Sequence, residues 1–309
     1  MQESKKEVLM VDAGDLLFKK FAGPVPENEL KTATQKAHLI VESLNLMGYH
    51  ALGIGDDDLT PGKDFLVEIS KKAKFPFLSS NLFDEASGKP LFQPYLIKEI
   101  QGLKIGIFSL LSPDFFLNPA DPRMKGVLIR SPMETVNQVL KELQPRVNFI
   151  LLLSHLGYTK DMELAQNVPG IHLIVGGHTG MNLSYAPVIK NTILLQTASK
   201  GMYAGRMDLT LSSKELTFYN VVSKQRLETN LNHLKSKLAL PGLPEGEKPQ
   251  LLRSSEQAER TLAQFKGKNE FTNVILPLND GIKDHPDIQK MVEEHKLRYP
   301  EPGKSVPMK

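Results

Sequence analysis

The sequence predicts an α/β fold on three observations. Short apolar runs alternate with helix-periodic segments over roughly the first two thirds of the chain, these runs repeatedly end in polar, glycine-containing loops, and the composition then turns charged and helix-patterned. The change is placed near residue 224. It divides the chain into an α/β domain over 1–224 and a short helical C-terminal extension over 225–309.

Val8 to Val11 is the first apolar run and stops at Asp12-Ala13-Gly14-Asp15, which reads as a buried strand entering a turn. Leu30, Ala33, Ala37, Ile40, Val41, Leu44 and Met47 then recur at three- and four-residue spacing, so a helix is predicted, closed by Gly48. A second strand, Ala51 to Ile54, opens into Gly55-Asp56-Asp57-Asp58. Residues 62–74 are helical in pattern, Phe75 to Leu78 strand-like, and Tyr95 to Ile100 with Leu103 to Leu111 form a hairpin turned at Gln101-Gly102.

A helix over 132–143 follows, with Ser131 as its N-cap, and the strand Asn148 to Leu153 runs into Ser154-His155-Leu156-Gly157. The same design recurs in a helix over 160–167 and a strand over 172–175 leading to Gly176-Gly177-His178-Thr179-Gly180. Strands are expected over 192–197, 206–211 and 215–222. Beyond the boundary, helices are expected over 227–240, 254–265 and 287–299, with Pro241-Gly242-Leu243-Pro244 as one linker.

The charge balance, 38 basic against 35 acidic residues for a net of +3, gives no argument for a nucleic-acid or anionic-membrane partner. Zero Cys excludes disulfides, thiol catalysis and cysteine metal sites, and no apolar run approaches the length of a membrane helix.

Asp12 and Asp15, Asp56 to Asp58, His155 and His178 all follow apolar strands. The carboxyl ends of strands in an α/β sheet form the crevice where sites assemble, so residues far apart in sequence converge there. Carboxylate oxygen and imidazole nitrogen are donors that zinc, manganese and iron accept. Singly, each has a plainer reading as a turn or cap residue; it is the set that argues for a shared site. His38, His172, His233, His285 and His295 are read as structural or solvated, and His50 lacks a spaced partner. Phe115-Phe116 is assigned a packing role.

The stretches Leu9-Met10-Val11-Asp12-Ala13-Gly14-Asp15, Gly48-Tyr49 leading to Gly55, Ser79-Ser80-Asn81-Leu82, Gly102 to Ile107, Ser154-His155-Leu156-Gly157 and Gly177-His178 resemble, in order, the motifs of 5'-nucleotidase-like (calcineurin-like) metallophosphoesterases over about residues 8–212. The resemblance implies a four-layer α/β/β/α sandwich and a two-metal centre that activates water for attack on a phosphate ester. It matches Asp15 to the carboxylate that bridges the metals, Asp56 to an Asn ligand, and His155 and His178 to imidazole ligands of one metal.

The departures fall on the other metal. The family's first Asp-x-His motif has no counterpart, which suggests an N-terminal strand lies outside this sequence; Asp57 replaces the motif histidine, and Gly180 the second histidine of Gly-His-x-His. The expectation is a divergent hydrolase of nucleotide catabolism with one divalent ion, Zn, Mn or Fe, or none, at Asp15, Asp56, His155 and His178, acting on a small phosphate ester or nucleotide. No residue is assigned as catalytic. The resemblance implies a periplasmic location. Two alternatives stay open: a non-catalytic binding or structural descendant of the fold, and a fragment of a larger, redox-linked protein.

Overall fold

The computed structural model describes residues 7–300 apart from 22–24, 119 and 199. The chain opens with β1 (Val11–Asp12), α1 (Glu27–Met47), β2 (Ala51–Gly53), α2 (Lys63–Ser70) and β3 (Phe77–Leu78). The three strands form a parallel sheet in the order β1-β2-β3, with Val11 opposite Ala51 and Leu52 opposite Phe77. Helical crossovers are what parallel neighbours require. Gly48, in the left-handed region at φ 78°, ends α1 and turns the chain into β2.

Next come β4 (Leu82–Asp84), β5 (Tyr95–Ile100), β6 (Leu103–Leu111), β7 (Val127–Ile129), α3 (Pro132–Leu143), β8 (Phe149–His155), α4 (Tyr158–Asn167), β9 (Leu173–Gly176), β10 (Val188–Ile189) and β11 (Thr192–Leu195). Six of these strands make a mixed sheet in the order β10-β11-β9-β8-β6-β5, parallel in the middle and antiparallel at both edges. The short strands β4 and β7 pair separately.

Three apolar clusters define the layers. Val41 and Leu44 of α1 and Leu66 and Ile69 of α2 pack with Leu52 of β2 on one side of the first sheet. Val136, Val139 and Leu140 of α3 and Leu164 of α4 pack with Ile150 and Leu152 of β8 on the far side of the second. Between the sheets lie Ala51 and Leu78 from one, and Ile105, Ile107, Leu151, Leu153, Leu173 and Ile193 from the other. The order is helix, sheet, sheet, helix, the α/β/β/α sandwich the motifs implied.

Strand periodicity now places a functional side chain. Successive residues of a strand face opposite ways, so Phe149, Leu151, Leu153 and His155 of β8 share the inner face while Ser154 points to the helices. His155 is wholly buried. It lies within the strand, two residues past the predicted end at Leu153.

The rest of the chain comprises β12 (Tyr203–Thr210), β13 (Phe218–Asn220), α5 (Val221–Leu238), α6 (Lys248–Ala263), β14 (Asn269–Pro277) and α7 (Pro286–Arg298). The strand expected over 215–222 stops at Asn220 because the Asn220 side chain accepts from the Val222 N–H and caps α5. The segment after 224 is not all helix. β14 inserts between β12 and β13, antiparallel to the first and parallel to the second. Phe271 of β14 and Phe218 of β13 enter the core between the first sheet and the six-stranded sheet, so this three-stranded sheet joins residues from both sides of the expected boundary.

Candidate metal centre

The turn after β1 puts Asp15 in the left-handed region at φ 59°, and Gly14 before it has φ 103°. Gly14 is needed here: a Cβ on it would lie 2.3 Å from the Gly55 nitrogen. The loop after β2 reaches the same place from the neighbouring strand. Asp58, fully buried in that loop, joins the two turns by accepting from the backbone N–H groups of Asp15 (2.8 Å), Gly55 (3.0 Å) and Leu17 (3.1 Å). In return Asp15 Oδ1 accepts from the Asp57 N–H at 2.8 Å. Burial and the Asp15 charge push the Asp58 carboxyl up to about 7, opposed by its three amide donors.

His155 arrives from β8 and His178, at φ 65°, from the turn after β9. His155 Nε2 lies 3.0 Å from Asp15 Oδ2 and 3.2 Å from Asp56 Oδ1; His178 Nδ1 lies 3.0 Å from the same Asp56 oxygen. Asp15, Asp56, His155 and His178 thus each offer one donor atom, all within 4.8 Å of one another. Gly177 allows the close approach, since a Cβ there would meet His155 Nδ1 at 2.9 Å.

These donors fit a divalent ion. His155 Nδ1 lies 2.9 Å from the Ala13 carbonyl, which can only accept, so that ring nitrogen carries the proton and the Nε2 lone pair faces two carboxylates. Such an arrangement calls for a cation or a proton between the groups. With ligand bonds of about 2.0–2.2 Å from nitrogen and carboxylate oxygen, these donors could close on a single ion by small side-chain movements. Burial alone would lower the His155 pKa, but its hydrogen bonds to Asp15 and Asp56 outweigh burial and hold it well above the ordinary value. Burial likewise works to raise the Asp56 carboxyl, and the bonds to His155 and His178 bring it well below the usual carboxylate range.

Other Asp and His residues singled out from sequence stay outside the cluster. Asp12 turns back to accept from the Gly14 N–H at 2.9 Å, a turn-forming bond. His50 accepts from the Met10 N–H, and His172 from the Ile150 N–H while stacking on Phe149. Asp57 is not one of the four donors, and its Oδ1 accepts from Arg123 Nη1 at 3.2 Å. Burial, then the Asp15 and Asp56 charges, push its carboxyl up to about 6.

Three neighbours of the cluster were missed or read differently from sequence: Phe115, Phe116 and Arg123, all in the loop between β6 and β7. Phe115 stacks on His178 with ring centroids 3.4 Å apart and planes 10° from parallel, and Arg123 stands 4.8 Å from the Phe116 ring. Both rings also pack against the apolar cluster beneath, the role their sequence implies. Arg123 Nη1 donates to Asp56 and Asp57. Asn81 brackets this loop, its amide bonding the Leu111 N–H and carbonyl at one end and the Arg130 carbonyl at the other. Only an aromatic pair and one cation in an irregular segment signalled any of this in the sequence.

No protein-family model matches the chain. The 5'-nucleotidase of Vibrio cholerae is 29% identical over 259 residues, covering 72% of this chain and 45% of that protein. Among solved structures, the Thermus thermophilus sulfate thiohydrolase SoxB superposes with a TM-score of 0.67 at 18% identity, over 94% of this chain and 43% of the other. The 5'-nucleotidase precursor from Thermus thermophilus gives 0.63 at 21% identity, over 96% and 50%. The chain therefore spans about half the length of each of these three proteins. In sequence the chain is similar to 5'-nucleotidases, and it shares the sandwich fold of these metallophosphoesterase-type structures.

Proposed function

We propose that the chain is a divergent metal-dependent phosphoesterase whose centre holds one divalent ion at Asp15, Asp56, His155 and His178 and acts on a small phosphate ester or nucleotide. The observation that supports this reading most is the convergence of four donors, from four separate strand ends, to within 4.8 Å. A divalent ion bound there would supply Lewis acidity toward a water and toward a phosphoryl oxygen.

The chain's own residues set the rest. Ala13 fixes the His155 tautomer, Asp58 holds the Asp15 and Asp56 turns together, and Phe115 holds the His178 ring by stacking. Burial of His155 and Asp56 keeps water from competing for their donor atoms. At Asp57, where the resemblance implies an imidazole, an ionised carboxylate would repel an incoming phosphate, which predicts slow turnover. Losing a positioned general acid typically costs about 10² to 10⁴ in rate.

The test is metal content by elemental analysis of protein purified without chelator, in parallel with His178→Ala, followed by release of phosphate from a panel of nucleoside monophosphates and simple phosphate monoesters. One equivalent of metal that disappears in the variant, together with metal-dependent phosphate release, is the expected result. Absence of metal from both proteins would overturn the proposal.

A second reading, binding without turnover, is favoured by the Arg123–Asp57 contact at 3.2 Å, which ties up the residue at the expected acid position. Phosphate release that is lost on His155→Ala rules it out. A periplasmic location belongs to the proposal too, supported only by the resemblance; cell fractionation checks it. Among the described residues no helix is long and apolar enough to cross a membrane.

A further inference from the structure

Arg123 is built into the centre, its side chain only 20% exposed. Nη1 donates to Asp56 Oδ2 at 2.8 Å and to Asp57 Oδ1 at 3.2 Å. Nη2 donates to Asp121 Oδ2 at 2.8 Å and to the Phe115 carbonyl at 3.4 Å, while Nε lies 3.1 and 3.2 Å from the two Asp121 oxygens. A guanidinium has five N–H bonds, and here each has a protein acceptor. None is left to anchor a phosphoryl group.

The acceptors themselves are informative. Three carboxylates and one carbonyl surround a single positive charge, an all-oxygen set of the kind hard divalent cations take. Asp56 belongs to both halves of the centre: Oδ1 faces His155 and His178, and Oδ2 faces Arg123. Each oxygen of this carboxylate therefore has its own positive partner available, an ion on one side and a guanidinium on the other. Unlike an ion, the guanidinium cannot dissociate or lose its proton.

We infer that Arg123 is the resident second cation of this centre: its guanidinium fills an oxygen cradle made by Asp56, Asp57, Asp121 and the Phe115 carbonyl, so that the four-donor cluster takes one divalent ion and not two. The inference rests on the reading that the cluster binds metal. Arg123 is then a positioning residue. It orients Asp56 toward the imidazoles and neutralises Asp57, and it touches no substrate.

The experiment is a Mn²⁺ titration by calorimetry, with electron paramagnetic resonance to detect paired ions, on the full chain stripped of metal. Wild type is expected to take one equivalent. Arg123→Met should take a second, weaker equivalent that gives a spin-coupled signal, and the double variant Arg123→Met/Asp57→Asn should return to one. Arg123→Lys, which keeps the charge, should stay at one; a purely structural role for Arg123 would give no such rescue.

An Arg123→Met protein that stays at one equivalent would overturn the inference and leave the metal reading standing, provided His178→Ala abolishes that equivalent. Two equivalents in the wild type would overturn it without any variant, should Arg123→Met not fold. A wild type that takes no Mn²⁺ would overturn both the inference and the metal reading, a result distinct from the other two.

Discussion

Asp58→Ala separates the scaffold of the centre from its ligands. The wild-type carboxylate is fully buried and accepts from three backbone N–H groups: Asp15 and Gly55 share Oδ2, and Leu17 takes Oδ1. Two donors come from the turn after β1 and one from the turn after β2, so Asp58 ties together the loops carrying Asp15 and Asp56. An alanine leaves all three amides without an acceptor. Each stranded buried amide costs about 1–3 kcal/mol, and water entering the vacated space recovers part of the sum, so the expected loss is about 3–5 kcal/mol. That is a large fraction of a typical total of about 5–15 kcal/mol. Asp58→Asn keeps the shape and one acceptor oxygen, and should lose about half as much. Urea unfolding near neutral pH, with unchanged m-values as the check on two-state behaviour, measures both. Mn²⁺ affinity of the folded variants should fall at least about tenfold, as for loss of an outer support of metal ligands. A loss under about 1 kcal/mol in Asp58→Ala, or a full loss of stability with Mn²⁺ affinity intact, would refute the reasoning.

Three further outcomes are expected. In Gly55→Ala the new Cβ would lie 2.2 Å from Asp15 Oδ1, so Asp15 must move; Mn²⁺ binding by calorimetry should weaken at least about tenfold, with about 1–3 kcal/mol lost in urea unfolding. Burial lowers the His172 pKa from 6.5 to about 4, so the unfolded chain takes up the proton first as pH falls; about 3 kcal/mol of stability should drain away between those pH values, and His172→Asn should flatten that part of the profile. Phe271→Ala, at a side chain 1% exposed, should cost about 3–5 kcal/mol in the same unfolding transition as the rest of the chain; a separate, earlier transition would show that the segment after 224 folds independently.

The sandwich was legible because its strands carry near-continuous apolar runs, and those of β6 and β8 had to be buried on both faces. The site was legible because four of those runs end in Asp or His. β14 was hidden for a physical reason: its inward positions include Asn269 and Asn273, which break the apolar alternation. Asn269 is nonetheless fully buried, its amide accepting from the Ser212 and Ser213 N–H groups and donating to the Glu215 carbonyl. A polar side chain serving as a turn's hydrogen-bond partner looks, in sequence, like a loop residue. Arg123 was hidden in the same way, since a lone arginine in an irregular segment carries no periodic signal; its meaning lies in three carboxylates contributed by two loops.

The supports of the centre differ in kind on its two sides. Around Asp15, Asp56, His155 and His178 the positioning is done by main-chain groups, namely the Ala13 carbonyl, the N–H of Asp57 and the three amides on Asp58, together with Gly14 and Gly177 where backbones pass closely. Such supports follow from the fold itself and tolerate surface change. On the Asp57 side the positioning is done by one side chain, Arg123, held by Asp121 and resting on Phe116. The electrostatics of that half hang on a single residue, and a substitution there alters the charge of the centre without disturbing the sandwich. This asymmetry would leave the four clustered donors in place under a substitution that changes the charge beside them.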